Sequence, residues 1–211
     1  RPDEIDDSAA VEALAAIGAK TKKDTDGLII EVNLRETQAK DETLKAIVPL
    51  NLVRSLLLND LNITDAGLEV LKDVNWPISN LDLRGCPVSN NGLVHLTGLS
   101  SLTALRLSGS NGKTSVDDEG ITSVARLQNL KVLSLDKLWI SEAGIEKLLS
   151  LKNLSELYVA ETTIGDEALG LLTFEQVAAV GKLDDAGMGH YVNQASGYAG
   201  RENIAIFTVG D

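Results

Sequence analysis

Aromatic residues are scarce in this 211-residue chain, at 3% against 44% hydrophobic residues overall. A core of that size must therefore be filled by Leu, Ile, Val and Ala, as in stacked thin layers and not in a globule anchored by large rings. One cysteine, Cys86, excludes an internal disulfide and any Cys-rich zinc site, and leaves the redox compartment open. Two histidines, His95 and His190, stand apart from each other and from any acid at metal-ligand spacing, so neither a metal centre nor a Ser-His-Asp or Cys-His set can be assembled. Basic residues are in deficit, 19 against 31 acidic ones, for a formal net charge of -12. Such a chain repels phosphate backbones, which argues against nucleic acid and makes a basic or neutral partner the better fit. No apolar run approaches the roughly 20 residues needed to cross a bilayer, so no membrane insertion is expected. The N-terminus opens on Arg1 without a signal-peptide pattern, and the chain reads as soluble.

What is present is a repeat. The stretch LLLNDLNITDAGLEVL at residues 56–71 returns in altered form along most of the chain. Aligned on the last apolar residue of each strand, the copies fall at Leu34, Leu58, Leu83, Leu107, Leu135 and Val159, at intervals of about 24, 25, 24, 28 and 24 residues. The strand cores are Ile29-x-x-Val32-x-Leu34, Val53-x-x-Leu56-x-Leu58, Ile78-x-x-Leu81-x-Leu83, Leu102-x-x-Leu105-x-Leu107, Leu130-x-x-Leu133-x-Leu135 and Leu154-x-x-Leu157-x-Val159. Alternation points these residues inward and their neighbours onto the open face of a parallel sheet. A second apolar column follows at Ala39, Ile63, Val88, Val116, Ile140 and Ile164, and then a helix. Its cap column is Lys40, Thr64, Ser89, Asp117, Ser141 and Gly165, and the next column, mostly acidic, suits the positive end of the helix dipole. Gly67, Gly92, Gly120 and Gly144 recur one turn on, with Thr43 and Ala168 as exceptions, which predicts close backbone packing between neighbours. A single layer buries too few aliphatic side chains to offset the entropy of ordering it, so the stack is expected to fold as a unit.

The pattern V-x-x-L-x-L-x-x-L-x-I-T-D-A-G-L-x-x-L at residues 53–71 resembles the leucine-rich repeats of bacterial proteins and is close to the cysteine-containing subtype of eukaryotic F-box receptors. Residues 85–93, GCPVSNNGL, are similar to that subtype's GCxxITDxGL, but are one residue shorter and carry Cys in a single copy. The equivalent column reads Thr37, Leu61, Cys86, Ser110, Leu138 and Thr162, and no F-box precedes it, which favours the bacterial form. The resemblance covers about residues 28–172. It implies an α/β fold, a right-handed leucine-rich-repeat solenoid or horseshoe with an inner parallel β-sheet and outer helices, and a secreted or cell-envelope location in a bacterium.

The expected organisation is an N-terminal capping helix and turn at 1–27, six repeats at 28–172, and a degenerate seventh repeat with a C-terminal cap at 173–211. The first helix is expected to run from Asp7 or Ser8 to about Lys20, with Val11, Leu14, Ala15 and Gly18 on its covered face, followed by a hairpin about the turn at 24–27. The seventh repeat is read from Phe174-x-x-Val177-x-Ala179 and from the match of residues 183–188 to 63–68, and residues 204–209 read as a last strand.

Chemistry-bearing motifs are weak. SGSNGKTS at 108–115 ends in Gly-Lys-Thr but puts Leu107 where a phosphate-binding loop needs its first glycine, so it reads as a four-residue insertion in the fourth repeat. Asp117, Asp118 and Glu119 lack the alternating oxygens of a calcium loop and read as helix capping. His95 reads as an exposed outer-face residue. No cofactor, metal or catalytic set is assigned. The positional constellation is the open sheet face, where Arg35, Leu57, Asn59, Asp82, Arg84, Arg106, Ser134, Asp136 and Tyr158 project, with Trp139 on the rim. Arg and Tyr are the favoured anchors there. The expected function is a non-catalytic module binding a protein or peptide on the concave sheet face. The alternative is a spacer or self-associating scaffold, and the oligomeric state is open.

Overall fold

The computed structural model describes residues 5–164, together with two short strands at 179–181 and 205–206. The chain enters through helix α1 (Ser8–Ala16), capped by Asp7, whose carboxylate accepts the Ala10 N–H at 2.9 Å. The helix stops earlier than the expected Lys20. Gly18 turns to a φ of 70°, and its N–H closes the last turn on the Ala15 carbonyl. Ala10 and Leu14, one turn apart, form the buried contact, while Ala15 and Gly18, expected on that face, are exposed.

A hairpin follows, β1 (Lys20–Lys23) against β2 (Ile29–Asn33), its turn held by Asp24 Oδ1 accepting the N–H groups of Asp26 and Leu28 at 3.0 Å. The sheet then grows one strand per repeat: β3 (Ser55–Leu57), β4 (Asn80–Asp82), β5 (Ala104–Ser108), β6 (Val132–Asp136), β7 (Glu156–Tyr158), β8 (Ala179–Gly181) and β9 (Ala205–Ile206), in sequential order and parallel from β2 onward. Val180 pairs in register with Leu157, so β8 begins at Ala179, where the expected 174–179 motif ends. The match at 183–188, His190 and the stretch between β8 and β9 lie outside the described residues; β9 falls within the expected 204–209 strand.

Helices on the other side are short: α2 (Asp41–Ile47), α3 (Asp65–Leu68) continued by a 3₁₀ turn (Glu69–Lys72), α4 (Asn90–Val94), α5 (Asp118–Val124) and α6 (Glu142–Leu148). None is long enough to be stable alone, so each depends on the apolar layer beneath it. Every strand-core residue of the six repeats is buried, as is the column Ala39, Ile63, Val88, Val116, Ile140 and Ile164. Trp76 fills the junction between the second and third repeats, donating its indole N–H to the Leu50 carbonyl. This is an α/β leucine-rich-repeat solenoid. Helices need about 10 Å laterally where strands need about 4.8 Å, so the helical side is the longer one and the sheet lies on the inside of the bend.

The acidic column does more than meet the helix dipole. Asp41 on α2 accepts the Thr64 N–H at 2.8 Å and the Thr64 hydroxyl at 2.6 Å, across the boundary to the next repeat. Asp65 holds the N–H and hydroxyl of Ser89 in the same way, and Asp118 those of Ser141. Between the third and fourth repeats the chemistry is exchanged. Asn90 donates its amide to the Asp117 carboxylate at 2.8 Å and accepts the Asp117 N–H at 3.1 Å. The recurring glycines follow from this joint. A Cβ at Gly67, Gly92, Gly120 or Gly144 would fall inside the van der Waals envelope of Asp41, Asp65, Asn90 or Asp118. In the first repeat Thr43 stands in the glycine column, and its hydroxyl accepts the Lys40 N–H at 3.2 Å.

Candidate functional site

Parallel pairing aligns the side chains that point to the open face. The middle row reads Asn33, Leu57, Asp82, Arg106, Ser134 and Tyr158, one from each strand β2 to β7. The row beneath it reads Glu31, Ser55, Asn80, Ala104, Val132 and Glu156. Above the middle row lie Arg35, Asn59, Arg84, Ser108, Asp136 and Ala160, where the chain leaves each strand.

These side chains pair with one another. Arg84 clamps Asp82 through Nε at 2.9 Å and Nη2 at 2.6 Å, a two-pronged bond that fixes both. Arg106 donates Nη1 to Asn80 Oδ1 at 2.6 Å, and Asn80 in turn donates to Ser55 Oγ at 2.9 Å. Ser134 donates to Asp136 Oδ2 at 2.7 Å, and the other Asp136 oxygen accepts the Ala160 N–H at 2.8 Å. Burial pushes the Asp136 carboxyl above the usual carboxylate range, against the lowering effect of those two bonds and of nearby Arg84. Tyr158 donates its hydroxyl to Glu156 at 3.0 Å; burial, then the bond to Glu156, pushes its own titration upward. At the N-terminal end Arg35 Nε donates to Asn33 at 3.1 Å. Asn59 donates to Asp60 at 3.3 Å and leaves its own buried Oδ1 without a partner.

Two of the expected contact residues are covered. Asp82 is 3% exposed and Ser134 is 5% exposed: Arg84 folds back onto Asp82, and Ser134 is a short side chain in register between Arg106 and Tyr158. Asp82 and Ser134 position Arg84 and Asp136 and present no surface of their own. Leu57, Asn59, Arg106, Asp136 and Tyr158 are half-buried, and Arg35 and Arg84 are exposed. Trp139 is 76% exposed on the rim, the largest apolar side chain the described residues give to solvent. His95 ends α4 half-buried, not on the exposed face expected of it.

The insertion at 108–115 is structural. Thr114 is buried and hydrogen-bonds through its hydroxyl to the carbonyls of Cys86 and Ser108, and Asn111 donates to the Gly85 carbonyl at 2.7 Å. Asp117 caps α5 through the Glu119 N–H at 2.9 Å, and its bonds to Asn90 and Glu119 lower its titration. The Cys86 thiol lies in the core against the Leu58 carbonyl, and burial pushes it up to about 12. Among the described residues no group of three or more His, Cys, Asp or Glu side chains could hold a metal ion, and no helix is long and apolar enough to cross a membrane.

Sequence reading missed one further column. The residue two past each strand core adopts a left-handed backbone: Glu36 (φ 64°), Asp60 (65°), Gly85 (70°), Lys137 (57°) and Glu161 (51°). Only Gly85 suggested it. In the fourth repeat the insertion moves the left-handed residue to Gly112 (70°). Lys20 and Glu36 form an exposed ion pair at 3.4 Å across the rim, and Lys137 and Glu161 one at 3.0 Å.

No protein-family model matches the chain, and no curated protein matches it in sequence. Solved structures similar to it include an internalin C2 of Listeria monocytogenes, at 22% identity over 83% of this chain and 92% of that one, with a TM-score of 0.39. Another is an internalin (inlF) of the same organism, at 16% identity over 84% of this chain and 64% of that one, with a TM-score of 0.45. The fold assignment rests on the strands, helices and joints described above.

Proposed function

We propose that this chain is a non-catalytic interaction module that presents the open sheet face to a protein or peptide. The observation that carries this reading is the lateral row from Asn33 to Tyr158. Six strands line up side chains over about 25 Å, enough for a standard interface. Arg84, Arg106 and Tyr158 are held in place by Asp82, Asn80 and Glu156, so their rotamer entropy is largely spent before any partner arrives. Leu57 and the rim residue Trp139 supply apolar contact at either side of that polar strip. The net charge of -12 favours approach by a partner that is basic overall and disfavours nucleic acid. In this reading residues 1–27 close one end of the stack, 28–172 form the repeats, and 173–211 complete the other end. A secreted or envelope protein of a bacterium fits the repeat type.

Photo-cross-linking tests the choice of face. A benzophenone side chain placed at Leu57, on the open face, should give a discrete adduct in an extract of the native organism, competed by unlabelled chain. The same group at Val94, 53% exposed on α4, should not. The Leu57 adduct should vanish when Arg84, Arg106 and Tyr158 are replaced by Ala together. Adducts formed from Val94 alone would refute the assignment.

A further inference from the structure

The charges on the open face are unevenly matched. Across strands β2 to β7 it carries three arginines, Arg35, Arg84 and Arg106, and four carboxylates, Glu31, Asp82, Asp136 and Glu156, so the deficit of -12 is concentrated elsewhere. Each of those carboxylates is already engaged. Glu31 pairs with Lys22 at 2.8 Å, Asp82 with Arg84 at 2.6 Å, Asp136 accepts from Ser134 and Ala160, and Glu156 accepts from Tyr158. Arg84 has its carboxylate. Arg106 does not: its hydrogen bond is to the neutral amide oxygen of Asn80, and among the described residues no acid lies within the 4.0 Å of an ion pair. It sits half-buried in the centre of the middle row, between Asp82 and Ser134, where solvent screens it less than an exposed arginine. The Asn80 bond occupies Nη1 and leaves Nε and Nη2 as oriented donors, the fork geometry that a carboxylate accepts.

We propose that the open face binds its partner through a carboxylate side chain of that partner seated on Arg106, between the Arg84–Asp82 clamp and Tyr158. This rests on the open-face reading and adds to it the chemistry of the central contact. Long-range attraction and local recognition then have opposite signs: a partner basic overall is drawn in by the net charge, and one acidic side chain on it fixes the register. A phosphate group is the poorer fit at the same spot, because its second negative charge would find no second free arginine there and would stand beside Asp82, the in-register neighbour of Arg106.

Side-chain NMR of the full ¹⁵N-labelled chain tests this with two capped peptides, acetyl-Gly-Glu-Gly-amide and acetyl-Gly-Lys-Gly-amide. The glutamate peptide should shift the Arg106 Nε–H and the Ser134 and Tyr158 amides saturably, with millimolar affinity, and the lysine peptide should not. Arg106→Gln keeps a donor for Asn80 and should weaken the glutamate peptide at least tenfold, whereas Arg126→Gln, at an exposed position just past α5 on the helical side, should leave it unchanged. Saturable shifts from the lysine peptide at the same amides, or glutamate shifts that survive Arg106→Gln, would overturn the carboxylate while leaving the face in place. Shifts from neither peptide also overturn it, and cross-linking from Leu57 then decides the face on its own.

Discussion

Replacing Gly67 by Ala places a methyl group where Asp41 Oδ1 now lies, and it is the cleanest way to test the joint between repeats. To admit it, the carboxylate must leave the Thr64 N–H at 2.8 Å and the Thr64 hydroxyl at 2.6 Å. Two hydrogen bonds to a charged acceptor are worth about 1.5–3 kcal/mol each, and the gain in helix propensity from Gly to Ala returns roughly 1 kcal/mol, so the net loss is about 2–5 kcal/mol. Ile63 Cγ2, 3.1 Å from the new Cβ, adds only a small shift. Urea denaturation of the full chain reads the loss, with Gly98→Ala as control: nothing lies within 4 Å of a Cβ there, and the change should stay within about 1 kcal/mol. The decisive comparison is a cycle with Asp41→Ala. Once the carboxylate is gone the methyl group has room, and Gly67→Ala should become neutral or mildly stabilising in that background, a coupling of at least about 2 kcal/mol. Additive losses would show that Gly67 is needed for some other reason, and the account of the joint would fail.

Asp136 and Cys86 give two further tests. Burial raises the Asp136 carboxyl above its unfolded value, so the folded chain holds that proton to higher pH, and the group's contribution to stability is lost as pH rises through its folded titration. The melting temperature of Asp136→Asn should therefore gain on that of the unaltered chain between about pH 3 and pH 7; a constant or reversed gap would contradict the shift. With its thiol near 12, Cys86 should react with a disulfide reagent at pH 8 on the order of a thousandfold more slowly than an unperturbed thiol, and at full rate in urea. Rapid labelling of the native chain would refute its burial.

The repeat spacing and alternation were enough to locate the buried residues of all six strand cores, since a period of two and a layer of about 24 residues leave little choice of face. They were also enough to place Arg84, Arg106 and Tyr158 on the open side. Alternation gives direction, however, and not coverage: the burial of Asp82 and Ser134 depends on the rotamers of their neighbours, Arg84 two residues on from Asp82 and the longer side chains one repeat away on the adjoining strands. The Asp41–Thr64 bond was hidden for a related reason. Each residue has a sufficient local explanation, a first-turn acid and a helix cap, so nothing in the single copy calls for a partner in the next. The glycine column pointed to close packing without naming what approached. Helix α1 was overextended because Gly18 fits the apolar period as a small residue, while its backbone ends the helix.

The exchanged joint at Asn90 and Asp117 bears on how such an array can grow or shrink. Each of the four boundaries that lie wholly within the described residues matches one carboxylate with one donor residue, and three of them hold the acid on the earlier repeat: Asp41–Thr64, Asp65–Ser89 and Asp118–Ser141. The fourth holds it on the later one. Excising the third repeat alone would bring Asp65 against Asp117, two acids at one seam; excising the fourth alone would set Asn90 against Ser141 and leave no acid there. Removing both together would join Asp65 to Ser141 and restore the common pairing. The third and fourth repeats thus form a matched pair whose joints survive only if both are removed together, whereas removing the second alone would set Asp41 against Ser89 and keep the common pairing.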